Sequence, residues 1–164
     1  MDISFDEFRK MIDIAEHHKA CEIDLNILRQ FKSVENFIKS PNAPFWTYWY
    51  AENVLKGRFE LGESIIARDA QNSLYYAENV LKGRFALGEP AIATDAVYSY
   101  DYANYVLKGR FEAGEEEIAT SDSYSYLYAK NVLKGRFELA EAIIKKEKYL
   151  ETLYKEFLES LDTP

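Results

Sequence analysis

The chain reads YAENVLKGRF at residues 76–85, and this stretch returns along the sequence at a fixed interval. The same letters stand at residues 50–59, and close variants stand at 102–111 and 128–137, so each copy begins 26 residues after the previous one. Internal repetition at such a period is typical of proteins in which short units stack and bury their apolar sides against each other.

The apolar residues of this stretch have helical spacing. Tyr76 and Val80 lie one turn apart on the same side of a helix. Lys82 falls in the last turn, where a cation suits the negative end of the helix dipole, and Gly83 is expected to form the left-handed cap. Phe85 is then placed to fold back onto the helix. Each copy therefore predicts a first helix with a defined end.

A shorter second helix is expected after Phe85. Leu87 and Ile92 form its predicted apolar side, and Glu89 lies in its first turns, where the positive end of the dipole favours a carboxylate. Asp95 is a good N-cap for the next unit. A first helix of about 12 residues, a second of about 8 and short turns account for the period. The sequence thus predicts an all-α fold, an α-solenoid of helix–turn–helix repeats.

The residues before the repeats predict a different kind of element. Residues 1–43 are expected to form an N-terminal helical cap, a pair of helices of which the second covers residues 24–39. The four repeats then fill residues 44–147. The expected inward side of the second cap helix consists of Leu25, Leu28, Phe31, Val34, Phe37 and Ile38.

The end of the chain predicts a long C-terminal capping helix. Ala140 stands where the earlier repeats have glycine, and alanine favours a helix over glycine by about 1 kcal/mol. The second helix of the fourth repeat is therefore expected to run unbroken to Leu161, and residues 148–164 contain the end of this capping helix. Its expected inward side consists of Tyr149, Leu150, Leu153, Phe157 and Leu161.

The composition narrows the classes of partner and the compartment. The chain has 20 Lys and Arg against 28 Asp and Glu, a net charge of −8, which argues against binding nucleic acid through a general basic surface. An acidic surface attracts basic partners and can imitate a nucleic acid. Cys21 is the one cysteine, which excludes an intrachain disulfide and fits the cytoplasm. The N-terminus is unlike a signal peptide, and no apolar run approaches the about 18 residues of a membrane span.

Residues that carry catalytic or metal chemistry do not converge in the sequence. His17 and Cys21 share a helix face beside His18, but no further His or Cys exists to complete an ordinary four-ligand zinc site. Two adjacent histidines support acid–base catalysis poorly, and the carboxylates show no specific pair. Each glycine is isolated, unlike a phosphate-binding loop. We expect no catalytic, cofactor-binding or metal-binding residues, and a protein that is not an enzyme.

Two basic ladders repeat with the units and are candidate partner-binding residues. Stacking aligns them along one edge, where they could form a stripe for an acidic partner or a phosphate backbone. Alternatively, each arginine pairs with the glutamate five residues later and has a structural role. The acidic chain favours the structural interpretation, since exposed ion pairs are common and weak. The ladders are Lys56, Lys82, Lys108 and Lys134, and Arg58, Arg84, Arg110 and Arg136.

Aromatic and acidic residues supply the other candidate contacts. Tyr50 and its equivalents are expected in the core, because they repeat at every unit. Positions that differ between units are better candidates for an exposed binding face. The run Glu115, Glu116 and Glu117 is expected to be a solvated surface, with a docking patch for a basic partner as the alternative. The variable aromatic candidates are Trp46, Trp49, Tyr98 and Tyr124.

The repeated string of Tyr-Ala, Val-Leu-Lys-Gly-Arg-Phe and the following glutamate resembles a known kind of repeat. Over residues 44–147 it is similar to the short α-helical tandem repeats of uncharacterised proteins from large tailed bacteriophages. The resemblance implies a phage protein acting in the cytoplasm of an infected host cell. Longer helical repeats have units of about 33 residues or more, so their binding modes are not transferred.

Three functional hypotheses remain open from the sequence. The first is a non-enzymatic repeat protein that mediates protein–protein interaction, with a host protein that it blocks or recruits as the expected partner. The second is an acidic nucleic-acid mimic that occupies a DNA- or RNA-binding protein. The third is a single-stranded nucleic-acid binder that uses the Lys/Arg ladders and the tyrosines. Steep weakening by salt distinguishes the third from the first.

Overall fold

The computed structural model describes residues 33–161, together with Asp6, Arg9, Lys10, Ile12, Asp13 and His17. In that part of the chain every regular element is helical and successive helices pack against one another, which confirms the all-α solenoid. The α-helices are α1 (Val34–Lys39), α2 (Ala43–Tyr50), α3 (Glu63–Ile66), α4 (Ala70–Tyr75), α5 (Glu89–Ile92), α6 (Ala96–Asp101), α7 (Glu115–Ile118), α8 (Asp122–Leu127), α9 (Glu141–Ile144) and α10 (Lys148–Leu161).

Each repeat unit has a first helix that changes character halfway. We call residues 44–69, 70–95, 96–121 and 122–147 units 1 to 4. The six-residue helices α4, α6 and α8 each continue into six residues of π-helix, which confirms a first helix of 12 residues. The sequence did not predict the π segments, which are Ala51–Leu55, Tyr76–Leu81, Tyr102–Leu107 and Tyr128–Leu133.

The starts of α4 and α6 are capped by aspartates, as the sequence predicts. The Asp69 and Asp95 carboxylates accept backbone N–H groups from the first turns of α4 and α6, and the Ser121 hydroxyl does the same for α8. These bonds satisfy donors that have no partner inside the helix. Pro44 lies in the first turn of α2, where the missing N–H costs no helical hydrogen bond.

The left-handed residue at the end of each first helix is not the glycine that the sequence predicts. The left-handed residue is Lys82, with φ of 53°, and no glycine among the described residues has a positive φ. The π segment causes the shift, because the N–H groups of Lys82 and Gly83 both reach the carbonyl of Ala77, one residue further back than in an α-helical cap. The equivalent lysines, Lys56, Lys108 and Lys134, have φ of 53°, 52° and 50°.

The second helix of each unit is short and packs on the first. Phe85 folds back as predicted, with its ring 5.0 Å from that of Tyr76, and Ile92 is fully buried. Leu87 does not form the predicted apolar side, since it lies in the turn before α5 and is 54% exposed. A 3-10 turn precedes the helix in three units, at Glu60–Gly62, Glu112–Gly114 and Glu138–Ala140.

The core repeats with the units. The tyrosines of the repeated Tyr-Ala pair are buried, which confirms their predicted place, and the phenylalanine and isoleucine of each unit complete the apolar layer. The buried Ser73 hydroxyl donates to the carbonyl of Ile66, so it joins two units without leaving a polar group unsatisfied. The recurring core residues are Tyr50, Tyr76, Tyr102 and Tyr128; Phe59, Phe85, Phe111 and Phe137; and Ile66, Ile92, Ile118 and Ile144.

The predicted helix over residues 24–39 is wrong at Ser33. Ser33 has φ of −154° and ψ of 157°, an extended conformation that interrupts a helix, and its hydroxyl caps α1 instead. Phe37 is buried as predicted, and Val34 and Ile38 pack against the core. Leu25, Leu28 and Phe31 lie outside the described residues.

The predicted unbroken C-terminal helix is also wrong. α9 ends at Ile144, a turn covers residues 145–147, and α10 begins at Lys148. The position of Tyr154 explains the break. It follows Tyr128 by 26 residues, and its hydroxyl accepts the N–H of Phe137, as the tyrosines of the earlier units do for the preceding unit. α10 therefore occupies the place of a fifth first helix.

The orientation of α10 follows from this register. As predicted, Leu150, Leu153 and Phe157 pack against the core. They lie beside Tyr154, which is buried although it was not among the residues predicted to face inward. Tyr149 and Leu161 were expected to face inward, but both are exposed, Tyr149 by 73%. The inward stripe is shifted because Tyr154, rather than Tyr149, is held in the last layer of the core.

Candidate interaction surfaces

Each arginine of the ladder forms an ion pair with a glutamate of its own unit. Arg84 donates from Nε and Nη2 to the two carboxylate oxygens of Glu89 at 2.6 and 2.9 Å, and Glu89 also accepts the hydroxyl of Tyr102 from the next unit. The bidentate bond to Arg84 lowers the pKa of Glu89 more than its burial raises it. The same pairing joins Arg58 to Glu63, Arg110 to Glu115 and Arg136 to Glu141.

The lysine ladder behaves differently. Lys56, Lys82, Lys108 and Lys134 are all exposed. Within the described part of the chain, the lysines that form ion pairs are others, namely Lys39, Lys145 and Lys155. The two ladders that looked equivalent in sequence therefore differ: each arginine binds a glutamate of its own unit, and the lysines are exposed without such a pair among the residues that the structure describes.

The backbone of these lysines is strained. A left-handed conformation costs a residue with a side chain about 1–2 kcal/mol. A cation near a helix C-terminus recovers only about 0.3–1 kcal/mol. Gly83, the next residue, needs none of its own conformational freedom, because its φ is not positive and a Cβ there has 3.9 Å to the nearest atom. The order glycine–lysine would relieve the strain, yet every unit has lysine–glycine.

The variable aromatic candidates divide by burial. Trp46 was expected on an exposed face but is only 3% exposed, because its ring packs edge-on against Trp49 within the core of the first unit. Trp49, Tyr98 and Tyr124 are half-buried and contact the core. None of these four is a fully exposed aromatic.

Two exposed tyrosines were missed by the sequence analysis. Tyr75 is 36% exposed and Tyr105 is 56% exposed. The signal that locates them is helical spacing from variable positions: Trp49, Tyr75, Asp101 and Leu127 share one register position, and Tyr105 lies one turn after Asp101. By helical spacing, Tyr75 lies on the side of its helix opposite Ser73, which contacts Ile66 and the segment of Gly88 in the short helices.

We call this surface the outer face. It is made by the variable residues of the four first helices at and near that register position. Two buried tyrosines next to these residues, Tyr48 and Tyr100, are held in place. The Tyr48 hydroxyl accepts from the Asn79 side chain at 3.0 Å, and the Tyr100 hydroxyl accepts from Asn131 at 2.8 Å. The outer face consists of Phe45, Trp49 and Glu52; Gln71, Tyr75 and Glu78; Val97, Asp101 and Tyr105; and Ser123, Leu127 and Lys130.

Charge on the outer face changes along the solenoid. The position that is Glu52 in unit 1 becomes Glu78, Asn104 and then Lys130. Asp101 adds a half-buried carboxylate, and burial with repulsion from Glu78 raises its pKa. The face is therefore acidic over units 1 to 3 and basic on unit 4.

The predicted acidic cluster is broken up by the fold. Glu115 is 8% exposed and binds Arg110 and the Tyr128 hydroxyl, whereas Glu116 is exposed and Glu117 is half-buried. Glu115 is therefore not available to a partner. The cluster is local in sequence but does not form one surface.

The described residues hold no group of three metal-binding side chains; His18 and Cys21 lie outside them. In the same residues no helix has the length and apolar character to cross a membrane. Comparison with protein-family models, with curated proteins and with solved structures gave no match to this chain.

Proposed function

We propose that the chain is a non-enzymatic α-helical repeat protein that binds a partner protein across the outer face. One observation supports this most directly. The short-helix segments at 60–69, 86–95, 112–121 and 138–147 contain no aromatic residue, whereas the outer face carries Trp49, Tyr75 and Tyr105. Tyrosine and tryptophan are enriched in protein interfaces, where they give rigid contact area with a polar edge.

The fixed orientation of the tyrosines favours binding. The Tyr75 ring of the outer face lies 6.1 Å from the ring of the buried Tyr48, whose hydroxyl accepts from Asn79. Side chains already ordered in the free protein lose less entropy on binding. The surface therefore combines rigid rings with residues that differ from unit to unit, which is the arrangement that gives repeat proteins their specificity.

The charge of the outer face indicates which partner group binds there. Asp101 keeps its carboxylate half-buried beside Glu78, at a cost that its raised pKa reflects. A cationic side chain of a partner placed between Asp101 and Tyr105 would relieve this repulsion and could lie over the tyrosine ring. The resemblance to phage repeats extends the proposal to a phage-encoded modulator or inhibitor of a host protein in the host cytoplasm.

The test is affinity capture from nuclease-treated bacterial lysate with the full chain as bait, read by mass spectrometry. We expect one dominant protein that is lost when Tyr75 and Tyr105 are both changed to Ala. The control changes Leu87 and Leu139 to Ala, since these large apolar residues on the short-helix side are 54% and 58% exposed. Equal capture by both double variants, or no captured protein at all, would remove the outer face as the binding surface.

The same capture experiment distinguishes the remaining hypotheses. A nucleic-acid binder loses affinity steeply with salt, whereas an aromatic protein interface does not. A nucleic-acid mimic requires exposed carboxylates, so charge reversal at Glu116 tests it without disturbing the buried Glu115. Partner capture that resists salt and survives this reversal would exclude both alternatives and support the protein-binding proposal.

A further inference from the structure

The lysine ladder is a surface that the fold itself does not use. Its four ammonium groups face solvent, and its residues keep a strained backbone that the neighbouring glycine would adopt without cost. Strain that persists at a repeated position points to a role for the side chain beyond folding. We propose that the C-terminal half of the ladder, Lys108 and Lys134, binds an extended acidic segment of the partner protein.

The lysines meet in a groove between successive first helices. Lys82 and Lys108 line one groove of about 320 Å³ together with Glu78 and Tyr105. In the 26-residue register the equivalent positions between the next two first helices are Asn104, Lys108, Asn131 and Lys134, where we expect a groove of the same kind. In this next groove the register places an asparagine where Glu78 stands, so its lysines are the better site for an anion.

The spacing favours an extended peptide. Neighbouring first helices are in contact, and packed helices are about 8–10 Å apart. Three residues of a polyproline II segment span about 9 Å, so carboxylates at every third residue would match successive lysines. Tyr105 of the outer face lines the groove of Lys82 and Lys108, and Lys108 is also the first residue of the next pair, so the two surfaces adjoin.

The charge gradient distinguishes an acidic peptide from a nucleic acid. A phosphate backbone carries one charge at every nucleotide and, following the whole ladder, would pass Glu78 and Glu52. A short acidic stretch can occupy the basic end alone, and the basic part of the same partner then faces Asp101 and Glu78. The inference rests on the proposed function, because it names the chemistry of the partner protein.

The experiment measures binding of a fluorescent peptide of three Pro-Pro-Glu triplets to the full chain at low salt by anisotropy. The double variant Lys108→Gly/Lys134→Gly removes two charges while relieving two left-handed residues, so its fold is retained, and a melting curve checks this. We expect the dissociation constant to rise about tenfold. Lys56→Gly is the control at the acidic end, where it relieves one left-handed residue and removes one charge, and it should bind as the parent does.

Three results would overturn the inference. They are no binding of the peptide, equal loss in Lys56→Gly, and tighter binding of an oligothymidylate than of the peptide, which would indicate a phosphate ligand. The glutamine version of the peptide should not bind, and Lys108→Arg should bind normally because it keeps the charge. If peptide binding fails while Tyr105-dependent capture succeeds, the ladder proposal falls and the proposed function stands.

Discussion

At the scale of single residues, crowding decides where the repeat needs glycine. A Cβ on Gly88 would lie 2.5 Å from the Phe85 ring and 2.7 Å from Ser73, whereas a Cβ on Gly83 meets nothing closer than 3.9 Å. Gly88 allows the second helix of the unit to approach the first helix. Gly83 has no such steric reason to be glycine.

This difference gives a prediction with an internal control. Gly88→Ala should lower the free energy of unfolding by about 1–3 kcal/mol, since the ring and the serine must move to admit the methyl group. Gly83→Ala should be neutral or raise it slightly, because alanine restricts the unfolded chain. Urea denaturation of both variants checks this, and an equal effect of the two would contradict the packing. Ala140 in unit 4 shows that the fold can accommodate the methyl group in one unit.

A second prediction concerns the charge of Asp101. Burial raises its pKa in the folded state, so the ionised form is less favourable there than in the unfolded chain, and stability is reduced above the unfolded pKa. Asp101→Asn should therefore raise the melting temperature at pH 7, and the gain should shrink as the pH falls below about 4. Thermal melts at pH 7 and 3.5 measure it; Asp122→Asn serves as a control on the next helix. No gain at pH 7 would show that Asp101 is not under strain.

Residue patterns predicted which positions are buried better than they predicted the backbone conformation. Tyr76, Phe85 and Ile92 were identified because identical apolar residues at a fixed period face the same layer. The left-handed Lys82 was not, because the order lysine–glycine also fits an α-helical cap. The difference is one extra residue in the last turn, which sequence periodicity does not resolve. The prediction that Trp46 is exposed was wrong because a position that differs between units need not lie on the surface.

At the scale of elements, one tyrosine hydroxyl joins each pair of units. The Tyr102 hydroxyl accepts the Phe85 N–H at 2.8 Å and donates to Glu89 at 3.0 Å. Tyr154 repeats the first of these bonds with Phe137, which makes α10 part of the stack. The break before α10 could have been predicted from the 26-residue spacing of Tyr154, but the missing alanine and glycine of the motif concealed it.

Removal of this hydroxyl should weaken the junction between units. Tyr102→Phe leaves the buried Phe85 N–H without a partner, so we expect a loss of about 1–3 kcal/mol in the free energy of unfolding. Tyr105→Phe removes the same atom from an exposed ring and should change it by less than about 0.5 kcal/mol. Denaturant titration distinguishes them. Similar losses would mean that the junction depends on packing alone.

At the scale of the whole molecule, the same charged bonds recur in every unit, so stability should follow pH on the acid side. A hydrogen bond from Arg84 lowers the pKa of Glu89. The pKa of Glu141 is also lowered, chiefly by a hydrogen bond from Lys145. A carboxylate with a lowered folded-state pKa stabilises the fold above its unfolded pKa of about 4.3, and that contribution is lost as the pH falls through the lower folded value. Melting temperatures should fall below about pH 4.5, less steeply in Glu89→Gln. An unchanged slope in that variant would contradict the assignment.

The alkaline side depends on the tyrosines that join the units. Burial raises the pKa of Tyr76 to about 12, and burial also raises the pKa of Tyr102 and Tyr128. A raised folded-state pKa means that stability is complete below the unfolded value of about 10 and is lost as the pH rises through the folded value. Because each ionisation would break a different junction, we expect these tyrosines to titrate together with unfolding. Absorbance at about 295 nm and circular dichroism should then change at the same pH; complete titration of all tyrosines near pH 10 with the helices intact would show that the junctions are open to solvent.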